Sequence, residues 1–366
     1  MVADSSVANA TCTLLDFRVC NFRCLESAEF RFDPKVNVFT GANGAGKTSI
    51  LESIYFLGRG RSFRASDKRL LIRSGYDAAE LAGAGLSQSG ATQLKVRIEP
   101  TSLKIQVGNQ PAAGIADLAM GLPVQAIHSD IGGVIEGPPD VRRRLLDWGV
   151  FHVEHHYFGH WQRYRRALVQ RNAALREAAS DAVLDSWDQE VASAGERMHA
   201  DRREYLDELA PAFRRVGKSI LGVDIGLQYQ RGWPDQAALV DALRSAREAD
   251  RSVGYTRVGP HRGDLQFDIE SERSRWRASR GQQKLLGAAL VLAQCDQVAN
   301  ALGQPVALLV DEPAADLDDE HLSRFLQAVW SSPAQVFMAA LSVAGLPLEG
   351  SAAMFHVEHG RSKALL

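Results

Sequence analysis

The sequence predicts an α/β fold: a mixed sheet, a flanking antiparallel sheet and an inserted helical lobe. Three observations carry this. An apolar strand ending at Val36, Val38 and Phe39 runs into a glycine-rich turn and then into helical spacing. A second apolar run, Val306 to Val310, ends in two acids, as a fully buried parallel strand would. Between them lie strands of alternating polarity and then a long basic helical stretch.

With 366 residues and 45% hydrophobic content, the chain can bury one large core or two ordinary ones. Its formal net charge of −2 means that any attraction to a polyanion arises from local patches. Four cysteines, Cys12, Cys20, Cys24 and Cys295, include no C-x-x-C pair and read as buried small hydrophobes in a reducing compartment. The segment MVADSSVANATC reads as neither signal peptide nor anchor, and no apolar run is expected to reach the ~20 residues of a membrane span.

The first turn is Gly41, Ala42, Asn43, Gly44, Ala45, Gly46, Lys47, Thr48, which satisfies G-x-x-x-x-G-K-S/T with a strand before it and a helix after it. Glycines let backbone N–H groups wrap phosphate oxygens, Lys47 reaches the outer phosphates, and the Thr48 hydroxyl can ligate Mg²⁺. Just beyond lies a basic cluster, Arg59, Arg61, Arg64, Lys68, Arg69 and Arg73, with Phe63 among them. Such a cluster suits phosphate contacts that carry no sequence information, so it is the first candidate for binding DNA.

The stretches AAELAGAGLSQSG, TQLKVRIEP and TSLKIQVGN alternate like a half-exposed antiparallel sheet. After Gly149 the pattern turns helical and basic. His160, Arg163, Arg165, Arg166, Arg171 and Arg176 alternate there with Trp161, Tyr164, Leu168 and Leu175. These arginines read either as a DNA surface or as a solvated face bridged to nearby acids. The expected division is a head from 1 to 150, a helical lobe from 151 to 250, and the rest of the head from 251 to 366.

Two further stretches complete the site. In PVALLVDEPAADLDDE, Asp311 at a strand's end is placed to hold Mg²⁺, and Glu312 can take a proton from an attacking water. SRGQQK, Ser279 to Lys284, puts a hydroxyl, a glycine and two amides at a helix mouth, a surface suited to an anion. With one phosphate cradle already present, the simplest ligand for Ser279, Gly281 and Gln282 is the γ-phosphate held by a second copy. This arrangement resembles that of ABC-type ATPases, which implies that Asp316 and Asp318 belong to the loop crossing the same interface and makes Gln125 a candidate for the glutamine that senses metal and water. FHVEH occurs twice, at Phe151 to His155 and Phe355 to His359. Its spacing matches no helical zinc signature, so a structural role is expected.

The order of NFR (Asn21 to Arg23), GANGAGKT, SRGQQK and an acidic pair resembles the ABC ATPases of the SMC and RecF group. LGRGRSFR, RRRLLDWGVFHVEH, WQRYRRALVQRNAAL, VGPHRGDL and MFHVEHG are similar to RecF-type members of that group, over nearly the whole chain. Four departures stand out. Glu312 stands where RecF-type chains often carry a second Asp, and Ala315-Asp316-Leu317-Asp318 replaces Ser-Glu-Leu-Asp. Ala278 replaces a larger apolar residue, and Gly263 occupies a position where an Asp is expected.

The resemblance implies an ABC-type ATPase head and a slow, DNA-linked ATPase with ATP and Mg²⁺ as cofactors. It implies a cytoplasmic protein of DNA replication, recombinational repair and the SOS response. Two copies would close on ATP over single-stranded, gapped or junction DNA, and partners of the RecOR type would load the recombinase. The alternative is the ATPase subunit of a membrane transporter, favoured only by Asp311-Glu312-Pro313. An ATPase joined to a nuclease would need a second acidic metal cluster, and no domain is left over to carry one.

Overall fold

The computed structural model describes residues 13–87, 90–270, 272–273, 278–342 and 352–365, so Cys12 lies outside the described residues. The chain divides into two compact units, Met1–Ile131 with Leu290–Leu366, and Gly132–Ala289.

In chain order, the first unit opens with β1 (Thr13–Phe22), β2 (Leu25–Arg31), β3 (Val36–Thr40) and α1 (Lys47–Arg59). It continues through β4 (Ala79–Ser87), β5 (Gly90–Ile98), β6 (Leu103–Val107), β7 (Gln110–Pro111), α2 (Ile115–Gly121) and β8 (Val124–Ile127). The second unit holds α3 (Gly133–Glu136), α4 (Pro139–Val153), α5 (Tyr157–Arg176) and α6 (Asp181–Leu221), then β9 (Ile225–Gln230), α7 (Leu239–Val253), β10 (Asp264–Ile269) and β11 (Glu272–Arg273). Helix α8 (Arg280–Leu302) contains the boundary, and β12 (Ala307–Asp311), α9 (Asp319–Ser331), β13 (Gln335–Ala340), β14 (Ala353–Glu358) and β15 (Arg361–Leu365) complete the first unit.

Two sheets build the first unit. One is antiparallel, in the order β2-β1-β4-β5-β6-β7; the other runs β15-β14-β3-β13-β12-β8, parallel except for β15. All five residues of β3 are buried, as are those of β12 and β13, which is why these strands read as continuous apolar runs and not as alternation. β5 alternates because one face is wet. Phe30 and Phe32 of the first sheet and its outgoing turn meet Phe39, Phe337 and Phe355 of the second at centroid distances of 4.9 to 6.2 Å, mostly edge to face. Gln335 pins the two sheets together: its amide donates to Leu14 O at 2.7 Å and accepts from Leu14 N at 3.0 Å.

The second unit extends on both sides of the lobe expected at 151 to 250, and the reason is electrostatic. Arg142 on α4 grips Asp264 on β10 through two bonds, at 2.6 and 3.0 Å, and also donates to the carbonyls of Val134, Ile135 and Gly137. RRRLLDWG and VGPHRGDL are therefore two halves of one contact. Arg171, fully buried, spends its donors on Asp188, Asp250, Thr256 and the Leu243 carbonyl. Arg202 binds Asp147 and the Pro260 carbonyl, and Arg163 grips Glu190 at 2.5 and 2.8 Å. Of the two readings of the basic helices, these arginines follow the ion-pair one.

Two expectations need correction. α8 is long and apolar enough by length and composition to cross a membrane, although none was expected; it is mostly buried inside the protein and serves as a core helix. Among the described cysteines, only Cys295 is buried: Cys20 is half-buried and Cys24 exposed, because β1 and its turn lie at the surface. The two FHVEH copies also diverge, the first closing helix α4 and the second forming strand β14.

His261 is held neutral in the second unit. Its Nε2 donates to Thr256 O at 3.0 Å, so Nδ1 accepts the Tyr164 hydroxyl at 2.6 Å, and burial lowers its pKa to about 4. Unfolded, the ring takes a proton near pH 6.5, so between about 6.5 and 4 the unfolded chain binds the extra proton. Stability is full above that window and falls by roughly 3 kcal/mol as pH drops through it. Urea unfolding across this range should show a shallower pH slope in His261→Gln than in the native protein. Equal slopes would remove His261 from the account.

Candidate functional site

The turn after β3 is shaped by backbone that side chains cannot follow. Gly41, Gly44 and Gly46 have φ of 147°, 78° and 114°. A Cβ on Gly41 would stand 2.2 Å from Val357 O, so the loop lies directly against β14. Gly360, in the β14–β15 turn, donates its N–H to Ala45 O at 2.9 Å. The stretch MFHVEHG is thus the wall of the loop.

Within the loop, Lys47 Nζ donates to Gly41 O at 2.7 Å and Ala42 O at 2.9 Å, while Asn43 and Gly44 are exposed. Burial lowers the Lys47 pKa, opposed by the charges of Asp311 and Glu312. Asp311 arrives at the end of β12, two strands from β3 in the sheet, and Thr48 Oγ1 donates to its Oδ1 at 3.2 Å. Burial raises the Asp311 pKa, with the Thr48 bond opposing it. A buried carboxylate beside a hydroxyl is a hard oxygen pair that fits Mg²⁺. Glu312, next along, is exposed and sits at φ 50°, turned out of the strand; Asp316 is also left-handed, and Asp318 caps α9 through His321 N at 2.8 Å.

Ser279 belongs to the other unit. It caps α8 in a reciprocal pair: Gln282 N donates to Ser279 Oγ at 3.3 Å, and Ser279 N donates to Gln282 Oε1 at 2.9 Å. Ser279 and Arg280 are exposed, with Gly281 and Gln282 half-buried, so the helix mouth faces solvent.

Two expected site residues lie apart from the others. Gln125 lies within β8, opposite Leu308 and three residues short of Asp311 along β12, and its buried amide donates to Gln294 at 3.2 Å, so the structure does not bring it together with Thr48 and Asp311. Arg59, unlike the rest of the cluster, is buried, with its guanidinium 5.7 Å from the Tyr55 ring, and burial lowers its pKa to about 10. Arg61, Arg64 and Arg69 are exposed and Lys68 half-buried.

Sequence reasoning missed Glu52. Its carboxylate is wholly buried on α1 and accepts Arg23 through two bonds, at 2.7 and 2.9 Å, and Ser62 Oγ, with Arg64 3.7 Å away. Ser62 Oγ in turn accepts Arg64 N and Ala65 N, so Glu52 fixes both the NFR turn and the basic loop to the phosphate-loop helix. The available signal was one acid inside the apolar run SILESIYFL.

Residues 13–362 match the family described as RecF/RecN/SMC N-terminal domain. The chain is 39% identical over 347 residues to the DNA replication and repair protein RecF of Chromohalobacter salexigens, covering 93% of this chain and 96% of that one. Against RecF of Stutzerimonas stutzeri the identity is 36% over 351 residues, covering 94% and 95%. Among solved structures, the recombination mediator protein RecF-ATP in the RecFOR pathway superposes with a TM-score of 0.85 at 24% identity, covering 99% and 100%. An Smc head domain of Pyrococcus furiosus, solved with an extended coiled coil bound to the C-terminal domain of ScpA, gives 0.61 at 16%, covering 96% and 95%. The fold is therefore that of an ABC-type ATPase head of the SMC and RecF kind.

Gly41→Ala should lower unfolding free energy by about 3 kcal/mol or more, because it adds a left-handed strain to a backbone clash with Val357. Denaturant titration measures it; a loss below about 1 kcal/mol would mean the loop can leave the β14 wall freely.

Proposed function

The chain belongs to the RecF family, and from that premise we propose that it is a cytoplasmic, DNA-binding ATPase of replication and recombinational repair whose two copies close on ATP. The observation that carries the reading is the convergence of Lys47, Thr48 and Asp311 at the carboxyl ends of the parallel strands, with Thr48 and Asp311 3.2 Å apart. The loop amides of residues 41 to 48 would cradle ATP, and Lys47 would exchange its two carbonyl partners for phosphate oxygens. Thr48 and Asp311 would hold Mg²⁺, which neutralises phosphate charge when bound. Glu312, exposed and turned outward, would accept the proton of the attacking water.

Ser279 and the Gly281 amide, at an open helix mouth in the other unit, would meet the γ-phosphate held by a second copy. Closure then has a physical basis: ATP binds one surface in the open state and two in the closed state, and only such a difference shifts the equilibrium. Slow hydrolysis would act as a timer for residence on DNA. The exposed Arg61, Arg64 and Arg69, with Lys68, would contact duplex phosphates beside the single strand of gapped or junction DNA, and partners of the RecOR type would load the recombinase there. The transporter reading has only the Asp311-Glu312-Pro313 spelling behind it, against a match to RecF chains over more than nine-tenths of the sequence.

Light scattering of Glu312→Gln with Mg²⁺ tests closure. The mass should double only when ATP is added, and adding Ser279→Arg should abolish the doubling while each chain still binds ATP. A single-chain mass with ATP bound would return Ser279 to its capping role. Separately, the double variant Arg61→Ala with Arg64→Ala should weaken duplex binding and reduce the log–log salt slope by about 1.8, at roughly 0.9 per phosphate contact. An unchanged slope would move the DNA site elsewhere.

A further inference from the structure

On the helical unit, a groove of about 990 Å³ lies between α5 and α6, walled by Trp161, Arg165 and Arg166 on one side and Trp187 on the other. Its volume is at the upper end of the ~300–1,000 Å³ of ligand pockets. Phe158, Trp161 and Arg165 form a rank of planar groups: the two rings stack at 6.1 Å with 11° between planes, and the Arg165 guanidinium stands 5.1 Å from the Trp161 ring. The last member of that rank is exposed, as is its neighbour Arg166.

The charge of these two is left unmatched, unlike that of the paired arginines of the unit. Arg163 is neutralised by Glu190 in the same groove, Arg171 by Asp188 and Asp250, and Arg202 by Asp147. Arg165 and Arg166 have no carboxylate partner among the described residues. Two uncompensated cations beside an aromatic rank and a second indole are what a single-stranded nucleic acid needs. Its bases have open faces that continue a stack, and its phosphates supply the missing anions. A duplex hides those faces.

We propose that this groove is a single-strand subsite, separate from the duplex-binding cluster on the head. Arg165 would extend the Phe158–Trp161 stack onto a base, Arg166 would pair with a phosphate, and Trp187 would offer a second stacking face. The inference rests on the reading that the protein binds DNA, and it assigns the single strand and the duplex to different surfaces.

The test is fluorescence anisotropy of the full chain with labelled oligo(dT) and, in parallel, a blunt duplex. The exposed pair Arg165→Ala with Arg166→Ala, and separately Trp187→Ala, should each lower oligo(dT) affinity roughly 5- to 150-fold while leaving duplex affinity unchanged. The arginine pair should also reduce the oligo(dT) salt slope by about 0.7, for the one phosphate contact assigned to Arg166. Unchanged oligo(dT) binding in all variants overturns the subsite and leaves the face to a protein partner. Parallel loss of both ligands overturns it in favour of one shared DNA surface. Failure of the native chain to bind either ligand overturns the DNA reading itself, a result distinct from the other two.

Discussion

The contact on which the site depends is the approach of Gly41 to the Val357 carbonyl. No side chain fits there, and the backbone conformation is one that side chains rarely adopt. Held against β14 at one end and bonded from Gly360 at Ala45, the loop has little freedom left. Its position relative to Asp311 then follows from strand order, because β3, β13 and β12 are consecutive neighbours in one buried parallel sheet. A loop held in this way has little ordering left to lose when a ligand binds.

Features whose causes are local were legible in the sequence. The glycine spacing of residues 41 to 48 is dictated by phosphate geometry within eight residues, and the Ser279–Gln282 cap is a reciprocal bond inside one turn. Buried and half-wet strands announced themselves by unbroken or alternating polarity. Illegible were features whose partners lie far along the chain. Nothing near Glu52 says that Arg23 and Ser62 will converge on it, and nothing near Gln125 says that its amide will be used by Gln294. FHVEH makes the point within a single chain: the same five residues end a helix in one place and form a strand in the other, because neighbours and not propensity decide.

The helical unit shows why counting arginines measures little. Its strongest cations are structural: Arg142, Arg171 and Arg202 are buried, each holding carboxylates and carbonyls from separate elements. Removing one member of such a set leaves charges stranded in a low-dielectric interior, which is why these sets act as keystones and not as surface. After those pairs are set aside, Arg165 and Arg166 remain, like Arg176, Arg214 and Arg215, without a carboxylate partner among the described residues; what distinguishes the first two is the aromatic company they keep.

Strand β3 has one more consequence, for the timing of synthesis. Its neighbours β13 and β14 are made much later: Val36 pairs with Val336, 300 residues further on. At the ~5–20 residues per second of translation, about 15 to 60 seconds separate the emergence of these partners. Through that interval VNVF has no sheet to enter and the phosphate loop has no wall. The nascent chain therefore carries an unpaired apolar strand until the second half arrives, and the walled loop is among the last features the molecule acquires.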